Sequence, residues 1–133
     1  MKSKKWIFVL CSFLASFFLV ACQSGSNESQ SAVEEEIKRM GRDVKNFVEA
    51  ALELYLNGSV DQAYEVAAMD EKINHYFDSI RDLATEEIKK NPDAIVTGRD
   101  YFQVIAFLER IGDYAKNICE WVVYFETGKI VEL

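Results

Sequence analysis

Residues 101–122 of the chain read YFQVIAFLERIGDYAKNICEWV. Apolar or small residues recur in this stretch in alternating steps of four and three. They are Tyr101, Ile105, Leu108, Gly112, Ala115, Cys119 and Val122. Such steps place side chains on one face of an α-helix, and their alternation is typical of coiled-coil-like packing. The stretch therefore predicts a helix of about 28 residues with one buried face, which begins near Thr97 and ends at Thr127-Gly128.

Two further helices are predicted upstream. Ser31 and Glu34 fit a capping box, and the helix that they open should end at Asn57-Gly58, where a left-handed glycine can stop it. Ser59 and Gln62 form a second capping-box pattern, and the helix behind it should end near Lys90, before Pro92. Residues 95–97 allow a short extended segment. Residues 31–133 thus predict an all-α domain, a three-helix up-down-up bundle.

Composition excludes several functional classes. The 133 residues carry 15 Lys and Arg against 22 Asp and Glu, for a net charge of −7, which disfavours nucleic acid as a partner. The chain has a single His and no glycine-rich phosphate loop, so a catalytic triad and a nucleotide site are not expected. We therefore expect a protein that is not an enzyme, in which Cys119 is a small core residue.

The first residues resemble a bacterial lipoprotein leader. Lys2, Lys4 and Lys5 precede an uncharged run from Trp6 to Ala21, and Leu19-Val20-Ala21-Cys22 resembles a lipobox. The resemblance implies a signal peptide over 1–21, lipidation of Cys22 and a flexible tether over 22–30. The opening is also similar to the leader of Gram-positive amino-acid-binding lipoproteins of ABC transporters. The alternative is a Cys in an ordinary short membrane span.

A polar row follows one face of the last predicted helix. Glu109, Asp113 and Asn117 are four residues apart, and Asp70 and Asn74 repeat that spacing on the second helix. Clustered carboxylates repel one another unless a cation binds, and oxygen ligands suit hard cations. A solvated acidic face is the alternative interpretation. Further along, Trp121 and Tyr124 are expected to serve bundle packing or a partner surface.

Residues 107–133, FLERIGDYAKNICEWVVYFETGKIVEL, closely resemble the third helix of a PhoU repeat. The family pattern there is E-R-x-x-D, followed by N-I-x-E and a later Tyr. In this chain the pattern begins with Glu109, Arg110 and Asp113, and it continues with Asn117-Ile118, Glu120 and Tyr124. Residues 68–74, AMDEKIN, resemble the second-helix motif of the family, which usually reads D-x-x-x-D.

The resemblance to the PhoU family implies an all-helical bundle and a regulatory role. Members of this family restrain the phosphate ABC transporter and the phosphate-sensing histidine kinase by protein contact, without a reaction of their own. Some bind metal clusters through paired acidic motifs. Carried over by position, the metal ligands are Asp70, Glu109 and Asp113, with Asn117 adjoining, and the metal is iron, Mg, Mn or Zn.

Three departures from the family pattern leave two functions open. Asn74 stands where an acid is usual, the chain resembles the C-terminal one of two repeats, and the leader would place a cytoplasmic regulator outside the membrane. Dimerisation is one way to cover the face that the first repeat normally covers. The chain is therefore expected to be either a cytoplasmic phosphate regulator or a membrane-anchored surface lipoprotein, whose bundle is a binding or structural module without a phosphate role.

Overall fold

A computed structural model describes residues 32–133, and these residues are helical with no strand. Residues 32–57 are helical and form α1. The following elements are α2 (Val60–Ala67), α3 (Met69–Lys90), a 3-10 turn (Pro92–Ala94) and α4 (Ile95–Thr127). The predicted signal peptide, lipidated Cys22, tether and first cap at Ser31 lie outside the described residues.

The helices run up, down and up, as the sequence predicts. At one end of the bundle, the Tyr101 hydroxyl of α4 donates to Glu34 Oε1 of α1 at 3.0 Å. At the other end, the rings of Tyr55 and Phe125 lie 6.4 Å apart, so α1 and α4 are parallel neighbours. The all-α three-helix bundle is therefore confirmed, with α2 and α3 together forming its descending arm.

The descending arm is divided at Ala68, where one helix was predicted. Ala68 keeps right-handed helical angles, φ −63° and ψ −15°. Its N–H donates to the Tyr64 carbonyl at 3.2 Å, and its own carbonyl accepts from Glu71 N at 3.3 Å. The second of these bonds spans three residues rather than four, so the chain tightens for one turn and then continues as α3.

The last helix begins earlier than predicted. Its first residue is Ile95, directly after the 3-10 turn, so residues 95–97 are not extended. Pro92 fits the first position of that turn because it needs no N–H there. Gly98 is buried against Ile88, whose Cγ1 would lie 2.8 Å from an added Cβ, so the glycine lets α3 and α4 cross closely. The 33 residues of α4 span about 50 Å.

The core is built around one face of α4. Ile105, Ala115 and Cys119 are buried there, and Gly112 is buried with them. Both α2 and α3 pack against α4. We call the predicted row from Tyr101 to Val122 the inner seam. The Cys119 thiol donates to the Ala115 carbonyl at 3.5 Å, and burial raises the pKa of this thiol to about 11. The predicted core role of Cys119 is therefore confirmed.

The predicted cap at Ser59 and the predicted ends at Lys90 and Gly128 are confirmed. Ser59 and Gln62 make the full capping box of α2, and Gly128 ends α4 in the left-handed conformation with φ 71°. Gly58 is different, because Gly128 is the one glycine with positive φ among residues 32–133. A Cβ at Gly58 would collide with the carbonyl and side chain of Leu54, so the glycine there provides space. None of the helices in 32–133 has the length and apolar character to cross a membrane.

Candidate polar site between α3 and α4

A buried carboxylate lies at the contact between α3 and α4. Asp70 is in the first turn of α3 and is 6% exposed. Its Oδ2 accepts from Asn74 Nδ2 at 3.1 Å and lies 3.6 Å from Lys116 Nζ of α4. Its Oδ1 is buried and has no hydrogen-bond partner. Burial of a carboxylate is costly unless it is paired, so the ammonium and amide groups are what allow Asp70 to sit here.

Gly112 makes room for this carboxylate in the inner seam. A Cβ added at Gly112 would lie 3.6 Å from Asp70 Oδ1 and 3.4 Å from Ile73 Cγ2. Without that Cβ, the backbone of α4 passes directly over the start of α3. The glycine that breaks the apolar row in the sequence therefore marks the place where the polar site reaches the core.

The predicted acids of α4 approach Asp70 to different degrees. Glu109 is half-buried, whereas Asp113 and Asn117 are exposed. Burial, and next the negative charges of Asp113 and Asp70, raise the pKa of the Glu109 carboxyl, and Arg110 opposes this effect. Glu109 therefore lies within electrostatic range of both Asp113 and Asp70.

Asn117 and Glu120 lie near the C-terminal segment of the chain. Asn117 lines a groove of about 290 Å³ together with Trp121, Tyr124 and the chain end around Ile130 and Val131. Glu120 Oε1 accepts from the backbone N–H of Leu133 at 3.1 Å. Glu120 therefore ties the end of the chain to α4, and Asn117 lies beside this segment.

Sequence reasoning missed Lys116, the cation that faces Asp70. Its signal was its position next to Ala115 of the inner seam, which directs a long side chain along the edge of the core. It also missed the role of Asn74, whose amide hydrogen-bonds the carboxylate where an acid would repel it. A second missed pair joins α1 to α3, because Lys72 Nζ lies 2.8 Å from Asp43 Oδ2 and this ion pair lowers the pKa of Asp43.

The carboxylate and amide oxygens of the predicted site are of a type that binds metal ions, but they are not arranged around a common point. Across residues 32–133, no three His, Cys, Asp or Glu side chains come close enough together to hold a metal ion. Lys116 lies where a cation would meet Asp70 Oδ2. Within residues 32–133, Asp70 Oδ1 is the one fully buried side-chain polar atom without a hydrogen-bond partner. The predicted metal site at Asp70, Glu109, Asp113 and Asn117 stays a prediction.

Comparison with known proteins places these helices in a family. The PhoU domain matches residues 37–122, which include most of α1, all of α2 and α3, and α4 as far as Val122. The matched stretch contains Asp70, Glu109, Asp113 and Asn117. No solved structure matches the chain significantly.

Curated relatives carry the same family name. A Clostridium acetobutylicum protein, named "Phosphate-specific transport system accessory protein PhoU homolog", is 30% identical over 108 residues, 81% of this chain and 49% of its own length. Homologues of the same name in Streptococcus pneumoniae and Pseudomonas aeruginosa are 32% and 33% identical over 75% and 70% of this chain. The chain spans half or less of the length of these relatives. By the domain match and these identities together, the chain belongs to the PhoU family.

Proposed function

We propose that the chain is a regulatory module of phosphate uptake that acts by contact with other proteins. The observation that carries this proposal is the PhoU domain match over residues 37–122. The names of the relatives, which are accessory proteins of a phosphate-specific transport system, support it. The proposed partners are the ATPase of the phosphate ABC transporter and the sensor histidine kinase, and the proposed effect is repression of the starvation response.

The exposed polar strip of α4 is the proposed contact surface. Glu109, Arg110, Asp113 and Asn117 lie on the side of the helix that the bundle leaves partly or fully open. Charged side chains at an exposed position cost little to keep solvated and provide specificity when a partner of opposite charge binds. A basic patch on the partner is therefore expected to meet this strip.

Deletion and complementation in the native cell test this function. Loss of the gene should leave phosphate-responsive genes expressed when phosphate is ample, and the wild-type gene should restore repression. A Glu109→Gln, Asp113→Asn double variant should restore it poorly, because the proposed contact loses two charges. Asp82→Asn, which changes an exposed carboxylate of α3, is the matched control and should complement fully. A deletion strain with a normal phosphate response would refute the regulatory role.

A membrane-anchored surface lipoprotein is the second candidate function, and the leader-like residues 1–22 favour it. Intact mass of the chain from membrane and cytosolic fractions distinguishes the two. A lipidated species that begins at Cys22 would place the bundle outside and exclude direct contact with a cytoplasmic ATPase or kinase. An unlipidated cytosolic species that begins at Met1 would support the regulator.

The chain is also proposed to bind a metal ion, which is iron, Mg, Mn or Zn. Its proposed ligands are Asp70, Glu109 and Asp113, with Asn117 adjoining. The unpartnered Asp70 Oδ1 supports this, as does the raised pKa of Glu109, because a cation would favour the ionised carboxylate that burial and the neighbouring acids disfavour. Elemental analysis of the purified chain is the test. Metal that is present in wild type and in Asp82→Asn but lost in the Glu109→Gln, Asp113→Asn variant would support the site. An unchanged metal content in that double variant would refute it.

A further inference from the structure

Lys116 belongs to the side of α4 that faces the start of α3. Glu109, Gly112 and Lys116 are three and four residues apart, so they share one side of the helix. Asp70 lies against Gly112, where the missing Cβ leaves room for its carboxylate. Along α4, Glu109 precedes this point by about one turn and Lys116 follows it by about one turn. The buried carboxylate therefore lies between an acid and an ammonium group.

Lys116 directs its charge to the buried carboxylate rather than to an exposed one. Its Nζ lies 3.6 Å from Asp70 Oδ2, and this is the one ion pair that Lys116 makes within residues 32–133. Its side chain is 28% exposed, whereas every other lysine side chain in an ion pair of that range is at least 60% exposed. Asp113, three residues earlier on α4, is at a spacing that allows a helical ion pair but makes none with it.

The pair between Lys116 and Asp70 is loose enough to open. A charge-assisted hydrogen bond between an ammonium and a carboxylate is about 2.7–2.9 Å long, and the 3.6 Å distance here exceeds that. The ammonium therefore balances the charge of Asp70 without a hydrogen bond to it. The lysine side chain is flexible and its end is partly exposed, so the ammonium can move into solvent without a change in the backbone.

The surroundings of Asp70 Oδ2 oppose a metal ion. Asn74 turns its Nδ2 donor towards this oxygen at 3.1 Å, and Lys116 turns its ammonium towards it. A hard metal ion needs oxygen acceptors around it, and its charge is repelled by an ammonium group a few ångströms away. Oδ1 of the same carboxylate is buried and has no partner. An ion that approached Oδ1 would therefore meet an acceptor in need of a partner and, close by, a competing positive charge.

We propose that Lys116 is a built-in competitor of a metal ion at Asp70. The ammonium and the ion are alternative counter-charges for one buried carboxylate, and the ion binds once the ammonium has moved into solvent. This competition rests on the metal site proposed above, and it identifies the residue that limits the affinity of that site. In the absence of metal, the ammonium supplies the charge that allows Asp70 to remain buried between α3 and α4.

Titration of the full chain with Mn²⁺, after a chelator has removed any bound metal, tests the proposal. The electron paramagnetic resonance signal of free Mn²⁺ gives the dissociation constant. Lys116→Met should bind Mn²⁺ roughly tenfold or more tightly than wild type, because no ammonium opposes the ion. Lys89→Met is the matched control, since it removes the same charge from an exposed ion pair with Glu86 at the far end of α3. It should bind Mn²⁺ as wild type does.

Two further variants separate competition from a change in folding. Lys116→Gln keeps a hydrogen-bond donor near Asp70 but no charge, and it should also bind Mn²⁺ more tightly than wild type. The Asp70→Asn, Lys116→Met double variant should lose the gain, because the gain requires the buried carboxylate. Circular dichroism shows whether each variant is folded. Mn²⁺ should also raise the melting temperature of Lys116→Met by more than that of wild type, as tighter binding to the folded state requires.

The outcomes distinguish this competition from the metal site itself. Wild-type binding that Glu109→Gln, Asp113→Asn abolishes, with no gain in either single Lys116 variant, would overturn the competition and leave the metal site standing. Tight binding by both Lys116 variants, with none by wild type, would support the competition and remove the metal ion from the proposed function. A gain that persists in the Asp70→Asn double variant would overturn the competition, as would the absence of Mn²⁺ binding from every variant.

Discussion

Two rows of side chains on α4 have the same spacing, but one row is buried and the other is exposed to solvent. The inner seam of α4 is buried, and its lower half is made of small residues, Gly112, Ala115 and Cys119. The outer seam is a second apolar row on the solvent-facing side of α4, and it is exposed except for half-buried Ile118. Its members are Val104, Phe107, Ile111, Tyr114, Ile118, Trp121 and Phe125, so that its lower half is largely aromatic. Small residues let another backbone approach, whereas aromatic residues present area to a partner. Spacing therefore defines a helical face, and residue size indicates what that face packs against.

The largest expected change in stability comes from replacing an isoleucine by alanine, and the same replacement can be made on both seams. Ile105→Ala, at a position that is 1% exposed, should lower the free energy of unfolding by about 2–5 kcal/mol, because a cavity forms in the core. Ile111→Ala, at 43% exposure, should lower it by less than about 1 kcal/mol in dilute solution. Urea denaturation measures both. Equal losses would mean that the two seams do not differ as described.

Overpacking tests the close approach at Gly112. Gly112→Val should destabilise the bundle by about 1–3 kcal/mol, because the added atoms meet Ile73 and Asp70. The same substitution at Gly41, where a Cβ meets nothing within 4 Å, is the control for the general effect of valine in a helix. Thermal denaturation of the two variants compares them. A Gly112 variant as stable as the Gly41 variant would contradict the packing.

Replacing a positively charged side chain beside each seam should also lower the free energy of unfolding by unequal amounts. Lys116→Met leaves the buried Asp70 carboxylate without its ion pair, at a cost of about 1–3 kcal/mol. Arg110→Met removes an exposed charge that flanks the outer seam and should cost less than about 0.5 kcal/mol at low protein concentration. Chemical denaturation at neutral pH checks the difference. If Arg110→Met is the more damaging variant, Asp70 does not depend on Lys116.

The smallest effect concerns pH and the half-buried Glu109. The pKa of Glu109 is raised in the folded chain, so the folded state binds the proton of this carboxyl more tightly than the unfolded state does. The contribution of Glu109 to the free energy of unfolding therefore falls as pH rises above about 4.5. Glu109→Gln removes that contribution and should gain stability over wild type between acidic and neutral pH. Glu126→Gln, at the exposed end of α4, is the control. A stability difference that does not change with pH would contradict the burial of Glu109.

Much of the bundle was predictable from local signals, because caps and apolar spacing act within a single helix. The Ser59 capping box, the stop at Gly128 and the inner seam are examples. The predicted start of α4 was wrong because the 3-10 turn Pro92–Ala94 leads directly into the helix at Ile95. The division at Ala68 has no Gly or Pro to mark it in the sequence.

The sequence indicated which acids belong to the polar site, but it did not indicate which groups partner the buried carboxylate of Asp70. Helical spacing indicated that Asp70, Glu109 and Asp113 could approach one another, and the charges of Asp113 and Asp70 contribute to the raised pKa of Glu109. It did not indicate that Lys116 and Asn74 would partner Asp70, since side chains of that length are placed by packing. Spacing alone did not indicate that the row through Ile111 and Trp121 is exposed, because the open face of α4 depends on where the other helices pack.

Hydroxyl-radical footprinting of the full chain in dilute solution tests both seams of α4 in one measurement. Our account predicts that Phe107, Trp121 and Phe125 react readily, as does Tyr64, which is half exposed on α2. Buried Cys119 should stay unreactive for a thiol. Outer-seam aromatics that are protected in dilute solution, or a Cys119 that reacts readily in the folded chain, would contradict the account.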